Sequence, residues 1–263
     1  MVECRLTNPG NLKKILDALR DLVEEANIEC SETGLSLQAM DTAHVALVSM
    51  NLNANGFEKY NCAQNTSLGV NLGAIQKILK CGDNNDVLTL ETNEDQSCLK
   101  FKFENSSSDR YFEFQMNLMD ISSEHLSIPD AEPEATITLG CSEFQKICRD
   151  LAQFGDTVKI TVEKSRVSFA VAGTNTNCCL NYSNFESAGK DGSQVTIQCE
   201  DKIELSFALR YLNLFTKAAP LSENVKLCLS NDRPFLVQFD LEDEAGDIKY
   251  YLAPKVDDNE DEE

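Results

Sequence analysis

The sequence predicts an α+β chain of two similar domains, each made of two βαβββ-like units whose strands form antiparallel sheets. Three observations lead there. Runs that alternate apolar and polar residues surround short segments with helical apolar spacing. A proline-bearing acidic stretch near the middle divides the 263 residues into nearly equal halves. The same order of segments then returns at an offset of about 132 residues, the mark of an internal duplication.

Val2 to Leu6 opens the chain as a strand. A helix follows, with Leu12, Ile15, Leu16, Leu19, Leu22 and Val23 as its apolar stripe and Asn11 as the expected capping residue. Alternation at Gly34 to Met40 and at His44 to Leu52 predicts two strands. A second helix starts near Leu72 and carries Ile75, Ile78 and Leu79. After the turn-rich Cys81 to Asp86 come strands at Val87 to Glu91, Cys98 to Glu104 and Arg110 to Leu118, the last with Phe112, Phe114, Met116 and Leu118 on one face. This half therefore reads β-α-β-β followed by β-α-β-β-β.

Ile121 to Glu134 carries Pro129 and Pro133 among the acids Glu124, Asp130, Glu132 and Glu134 and has no clear period, which predicts an extended linker, solvent-exposed over much of its length. Domains are expected at 1–120 and 135–256, either side of the linker 121–134. Beyond it, Phe144, Ile147 and Leu151 repeat the spacing of Leu12, Ile15 and Leu19, and Val158 to Val162 with Arg166 to Val171 give paired strands. Tyr211 to Lys217 followed by Val225 to Leu229 echoes Ile75 to Lys80 followed by Val87 to Leu90. The closing acidic run, 257–263, is expected to be disordered. Solvation alone and repulsion of wrong contacts explain it equally well.

With 42% apolar residues the chain can bury a real core. Its 44 acidic and 23 basic residues give a formal charge of -21, so the molecule as a whole is repelled by phosphate and simple adhesion to DNA is excluded. The 11 cysteines are odd in number and lack a C-x-x-C pair, which indicates neither a disulfide framework nor a zinc site. They read as small buried hydrophobes in a reducing compartment. The opening MVECRLTNPG has no basic n-region or apolar h-region, and no stretch approaches the roughly 20 apolar residues of a membrane span. A soluble intracellular protein with no membrane partner is expected.

The bases are not spread evenly. The four predicted helices hold Lys13, Lys14 and Arg20; Lys77 and Lys80; Lys146 and Arg149; and Arg210 and Lys217, against only Asp17, Asp21, Glu143 and Asp150. An ordinary polar face accounts for any one of these helices alone. Agreement of all four in an acidic chain points instead to a shared positive surface, able to neutralise several phosphates without reading sequence and weakened by salt.

No catalytic or cofactor motif stands out. His44 and His125 are the only histidines, neither has metal-ligand or triad spacing, and there is no P-loop or G-x-G-x-x-G. A chance pair of facing carboxylates stays open among so many acids, but the pattern favours a binding protein with no cofactor and no metal. His44 reads as a partly buried residue satisfied by local hydrogen bonds, one that can also line a binding groove.

Four segments carry a family resemblance: Leu68 to Cys81 (LGVNLGAIQKILKC), Ile147 to Leu151 (ICRDL), Phe207 to Asn213 (FALRYLN) and Lys249 to Lys255 (KYYLAPK). Collinearly, from Val2 to about Val256, the chain resembles the proliferating cell nuclear antigen family of eukaryotic sliding DNA clamps. The resemblance implies the DNA-clamp fold: a homotrimeric ring with helices lining the hole and antiparallel sheets outside, acting as a non-enzymatic processivity factor in DNA replication and repair in the nucleus. The helix bases would then face duplex DNA, held topologically and without sequence preference.

Ring closure in the family joins strands of neighbouring subunits, which points here to Asp109 to Asn117 and Thr174 to Tyr182, with Arg110, Phe112, Phe114, Cys178 and Leu180 at the contact. The residues alone leave open that these segments pair inside the chain. The family's partner groove carries over to Met40, His44, Val45, Leu47, Leu126, Ile128, Pro129, Pro234, Ala253 and Pro254. Its implied ligand is a peptide with a glutamine, an aliphatic residue and two adjacent aromatics, borne by DNA polymerases, a clamp loader, a flap nuclease and a DNA ligase. Lys164 matches the family's ubiquitin-accepting lysine, an isopeptide-bond site, while on sequence alone it is a turn lysine. The linker departs from the family's commoner pattern at His125 and Pro133, which implies altered partner preference.

Two rivals predict different behaviour. A subunit of a heterotrimeric checkpoint-type clamp would need partners to assemble, and the symmetric duplication and intact groove residues argue against it. A metal-dependent hydrolase using some of the 44 acids would show turnover lost on chelation.

Overall fold

The computed structural model describes residues 1–93, 95–105, 109–122, 126–128, 132–184 and 194–255; His125, Pro129 and the acidic run 257–263 lie outside the described residues. The chain divides into two compact units. Met1–Thr42, Val48–Ser127 and Asp240–Ile248 form the first, and Ala43–Leu47, Ile128–Phe239 and Lys249–Glu263 the second.

The first half of the chain runs β1 (Val2–Leu6), α1 (Gly10–Leu19), β2 (Glu25–Ser31), β3 (Gly34–Met40), β4 (Ala46–Asn53), β5 (Lys59–Cys62), β6 (Thr66–Asn71), α2 (Leu72–Cys81), β7 (Val87–Thr92), β8 (Cys98–Asn105) and β9 (Arg110–Asn117). The second half repeats that order in β10 (Ala135–Gly140), α3 (Cys141–Leu151), β11 (Thr157–Glu163), β12 (Arg166–Ala172), β13 (Asn177–Ser183), β14 (Thr196–Cys199), β15 (Ile203–Ala208), α4 (Leu209–Phe215), β16 (Asn224–Ser230), β17 (Arg233–Asp240) and β18 (Gly246–Leu252). Each half thus holds two βαβββ runs with one short strand, β5 or β14, between them. The fold is α+β with antiparallel sheets.

In the first unit five strands are ordered β5-β1-β7-β8-β9, every pair antiparallel. Separately, β2 pairs antiparallel with both β3 and β6. Helical spacing turns Ile15, Leu16 and Leu19 of α1 and Ile75 and Leu79 of α2 inward, where all are buried. Ile15, Leu16, Leu19 and Ile75 meet Leu37, Met50, Leu90 and Phe101 around a void of about 40 Å³. Each such aliphatic side chain contributes roughly 1.5–3 kcal/mol by leaving water, and this burial, more than intrinsic propensity, holds such short helices.

In the second unit β14-β10-β16-β17 form one antiparallel run and β13-β12-β11-β15 a second sheet. Phe144, Ile147, Cys148 and Leu151 give α3 its buried stripe. Phe207 packs on Phe235 at 4.6 Å between ring centres and Phe215 on Tyr250 at 4.5 Å, all four rings fully buried.

Several local expectations are corrected. Asn11 does not cap α1: the helix begins at Gly10 after Pro9, and Asn8 Oδ1 accepts from the Gly10 amide at 2.7 Å. The proline, at φ -75° and ψ 0°, already starts the turn. Leu22 and Val23 are buried but lie beyond the helix end, their amides donating to Leu19 O. β2 carries only a weak strand signal in the sequence because Ile28, which lines the core void, is the one large apolar residue on its inward face, beside the small Ala26 and Cys30, while Asn27 is buried on the opposite face. At four residues β5 is too short to show a pattern. His44 is exposed at φ 55°, in a turn rather than at a strand start, so it is not the partly buried residue expected.

The linker's described ends are hydrogen-bonded. In the first unit Met119 N donates to Gly69 O at 2.8 Å, Asn27 Nδ2 to Ile121 O at 2.8 Å, and Leu126 exchanges both backbone groups with Gln38. In the second, Arg233 Nη2 donates to Glu132 O at 2.8 Å and Asn231 Nδ2 to Glu134 at 2.7 Å.

Candidate nucleic-acid interface and docking surfaces

The buried stripes of the helices decide where their bases go. In the first unit Lys14, Lys77 and Lys80 stand outside the buried stripes of α1 and α2, and Arg20 follows the last residue of α1. Lys13 is half-buried and spends its charge locally: Nζ donates to Gly82 O at 2.8 Å and Asn84 Oδ1 at 2.9 Å, capping the end of α2. Arg20 Nε lies 3.6 Å from Asp17 and 3.7 Å from Asp21, and the Asp17 carboxylate also accepts from Gln76 of α2.

In the second unit Lys146 and Arg149 of α3 and Arg210 of α4 stand outside the buried stripes; Lys217 is exposed too, in the 3₁₀ turn Thr216–Leu221 rather than on α4 itself. Arg210 stacks over Tyr211 at 4.8 Å. Arg149 lies 3.5 Å from Asp150. Among the described residues, Lys77, Lys80, Lys146 and Arg210 have no ion-pair partner, so their charge is not neutralised locally.

Both segments expected to lie at free edges do so within their sheets: β9 ends the order β5-β1-β7-β8-β9 and β13 ends β13-β12-β11-β15. The second edge starts at Asn177, three residues after Thr174. On β9, Phe112, Phe114 and Met116 are half-buried while Tyr111 is 59% exposed. Phe112 stacks on Phe103 at 4.8 Å, which fixes the apolar face of the edge. On β13, Cys178, Leu180 and Tyr182 alternate with exposed neighbours, and Tyr182 Oη donates to Glu143 Oε1 at 2.7 Å. Burial, and then the Glu143 carboxylate, push the Tyr182 phenol above its ordinary range. Arg110 turns back into its own unit, where it meets Asp83 at 2.7 Å and Asp86 at 2.8 Å.

The groove residues fall in both units. In the first, Met40 is half-buried and Leu126 is 41% exposed. In the second, His44 and Ala253 are exposed, Val45 and Pro254 half-buried, and Val45 O accepts from the Ala253 amide at 3.0 Å. Leu47 is only 7% exposed and belongs to the core. Ile128 and Pro234 come together in the wall of an open cavity of about 250 Å³, with Pro133, Lys226, Cys228, Ser230, Arg233, Leu236, Gln238, Lys249 and Tyr251. Pro234 carries over from the family's groove and Lys249 and Tyr251 lie in the KYYLAPK segment, but no motif singles out Lys226, Cys228, Ser230, Arg233, Leu236 or Gln238. Their signal is the period-two position opposite the buried face of β16 and β17.

Lys164 occupies the two-residue turn between β11 and β12, where Glu163 pairs with Arg166. It is exposed and held at φ 43°, the left-handed region such hairpin turns demand. All 11 cysteines are free thiols. Burial pushes Cys141 up to about 12, and burial together with the nearby Cys62 and Glu29 does the same to Cys30. Among the described residues no group of three or more His, Cys, Asp or Glu is placed to hold a metal ion, and no helix is long and apolar enough to cross a membrane.

Two family models match the chain: "Proliferating cell nuclear antigen, N-terminal domain" over residues 1–125 and "Proliferating cell nuclear antigen, C-terminal domain" over residues 127–255. The two matches meet inside the linker, and each covers one copy of the duplicated element order. With both of its halves matched over nearly their whole length, the chain belongs to the proliferating cell nuclear antigen family.

Proposed function

We propose that this chain is a sliding clamp that closes around duplex DNA as a homotrimer and tethers replication and repair proteins to it. Membership of the family supports a sliding clamp with a non-enzymatic, DNA-directed role. The observation that carries the finer reading is the pair of open edges, β9 in one unit and β13 in the other. An edge strand with a half-exposed apolar face calls for a partner strand. Joining β9 of one copy to β13 of the next is a head-to-tail contact, and such contacts close into rings when the rotation permits.

The charge distribution supports the same reading. A net charge of -21 keeps the exterior from adhering to DNA, while the helix bases offer a sequence-independent surface for phosphates in the bore. Retention is then topological, and sliding costs little. The groove residues around Ile128 and Pro234 receive the glutamine-aliphatic-diaromatic peptides of DNA polymerases, a flap nuclease, a DNA ligase and the clamp loader, and ATP hydrolysis belongs to the loader. Lys164, exposed on its turn, accepts a ubiquitin through an isopeptide bond, and the site of action is the nucleus.

Light scattering on the purified chain tests the assembly. A mass near 88 kDa, three copies of 29.2 kDa, is expected across salt and protein concentration. A monomer at every concentration would overturn the self-assembling ring and favour the heterotrimeric checkpoint-type clamp.

A further inference from the structure

The outward face of the second unit's sheet carries a charge pattern that a general docking groove does not require. Strand alternation sends Val225, Leu227 and Leu229 of β16 and Phe235, Val237 and Phe239 of β17 into the core, where all are fully buried. The opposite face presents Lys226, Cys228 and Ser230 beside Pro234, Leu236 and Gln238, with Lys249 and Tyr251 of β18. Together with Ile128 and Pro133 these side chains line the cavity of about 250 Å³.

Its walls are apolar at Ile128, Pro133, Pro234, Leu236 and Tyr251. Its charged lining residues are Lys226, Arg233 and Lys249, and among the described residues no carboxylate lines it. In a chain of 44 acids and 23 bases this is a local reversal of sign. Arg233 is held in position by Glu132 O at 2.8 Å and by Asp232 at 3.3 Å, a carboxylate 76% exposed and therefore largely screened by solvent. Lys226 has no ion-pair partner among the described residues.

We propose that this cavity selects docking peptides whose apolar anchors are flanked by aspartate or glutamate. The anchor packs on Leu236, Pro234 and Ile128, and the flanking carboxylate reaches the cations at the rim. The inference rests on the reading of this surface as the partner groove. It also runs against the long-range field: a net charge of -21 attracts basic peptides, so a preference for acidic flanks has to come from the local cations at close range.

Three synthetic peptides test it, sharing one glutamine-aliphatic-diaromatic core and flanked by two glutamates, two serines or two lysines. Each is titrated calorimetrically into the intact chain at about 150 mM salt, and into the double variant Lys226→Glu, Lys249→Glu. The glutamate peptide is expected to bind about fivefold more tightly than the serine peptide and the lysine peptide more weakly than either, with the order reversed in the variant. Equal affinities, or a preference for lysine flanks in the unmodified chain, overturn the charge selection and leave the groove standing. Failure of all three peptides to bind overturns the groove and the selection together.

Discussion

The Arg110 guanidinium lies 2.8 Å from the carboxylate of Asp86, a residue with no solvent exposure. The pair ties the first residue of edge strand β9 to the turn behind α2. Asp86 also accepts from Asn105 Nδ2 at 2.6 Å and from the Asp83 amide at 2.8 Å. Burial by itself would raise the Asp86 pKa; the Asp83 amide, Asn105 and the Arg110 charge outweigh it and hold the carboxyl below the usual carboxylate range.

Asp86→Ala removes the acceptor and leaves these donors unmatched, so it is expected to lower unfolding stability by about 2 kcal/mol in urea titrations near neutral pH. Because the folded pKa is depressed, the stabilisation is fully present above the ordinary carboxylate range and is lost as pH falls through the folded value. The difference between variant and parent should therefore shrink steadily below about pH 4. A gap independent of pH would contradict the charged pair.

Lys77, Lys80 and Lys146 are exposed helix cations with no ion-pair partner among the described residues, and unlike Arg210, which stacks on Tyr211, they have no ring contact either. Replacing any one by alanine should weaken DNA binding uniformly across sequences and reduce the slope of log affinity against log salt by about 1 for each phosphate no longer neutralised. An unchanged slope removes that lysine from the DNA surface. Lys13, committed to Gly82 O and Asn84, should instead show its loss as reduced thermal stability.

Met116→Glu on β9 or Leu180→Glu on β13 puts a charge on a half-exposed apolar position of an edge. Light scattering should then report 29.2 kDa, with the melting temperature of the isolated chain lowered by only a few degrees. Phe112 and Phe114 are less clean probes, since both pack on Phe103 and their truncation costs about 3 kcal/mol of folding stability in its own right.

Gly69 is the anchor of the linker's approach. A Cβ there would sit 2.0 Å from Met119 O, so Gly69→Ala should break that backbone bridge and destabilise by about 1–3 kcal/mol. Hydrogen exchange at the Met119 amide, now protected by Gly69 O, should quicken at the same time.

Thiol reactivity should follow exposure. Cys81 and Cys179 are exposed, whereas burial raises the thiols of Cys141 and Cys148 far above neutral pH. Alkylation of the folded protein followed by peptide mass mapping should label the first pair before the second.

Legible in the sequence is what depends on local periodicity. The stripe Phe144, Ile147, Leu151 announces α3 because one side of that helix is buried and the other is wet. The inward positions of β2 are Ala26, Ile28 and Cys30, with a single large apolar side chain among them, so its pattern is faint. Nonlocal matters stay hidden for a different reason. The family resemblance assigns Arg110 to a subunit contact, but its partners Asp83 and Asp86 are brought to it only by the pairing of β7, β8 and β9. The cation-rimmed cavity needs the register of β16 against β17, which sets Lys226 beside Gln238, and no stretch of sequence contains that pairing.

The most direct test of the central claim is retention on DNA of different topology. The chain is loaded onto nicked circular DNA by a clamp loader, free protein is removed by gel filtration, and the DNA is cut once with a restriction enzyme. An encircling clamp stays on the intact circle at high salt and is lost when the ends are opened. Equal retention before and after cutting, or release from the uncut circle at the salt concentration that abolishes ion pairing, would contradict it.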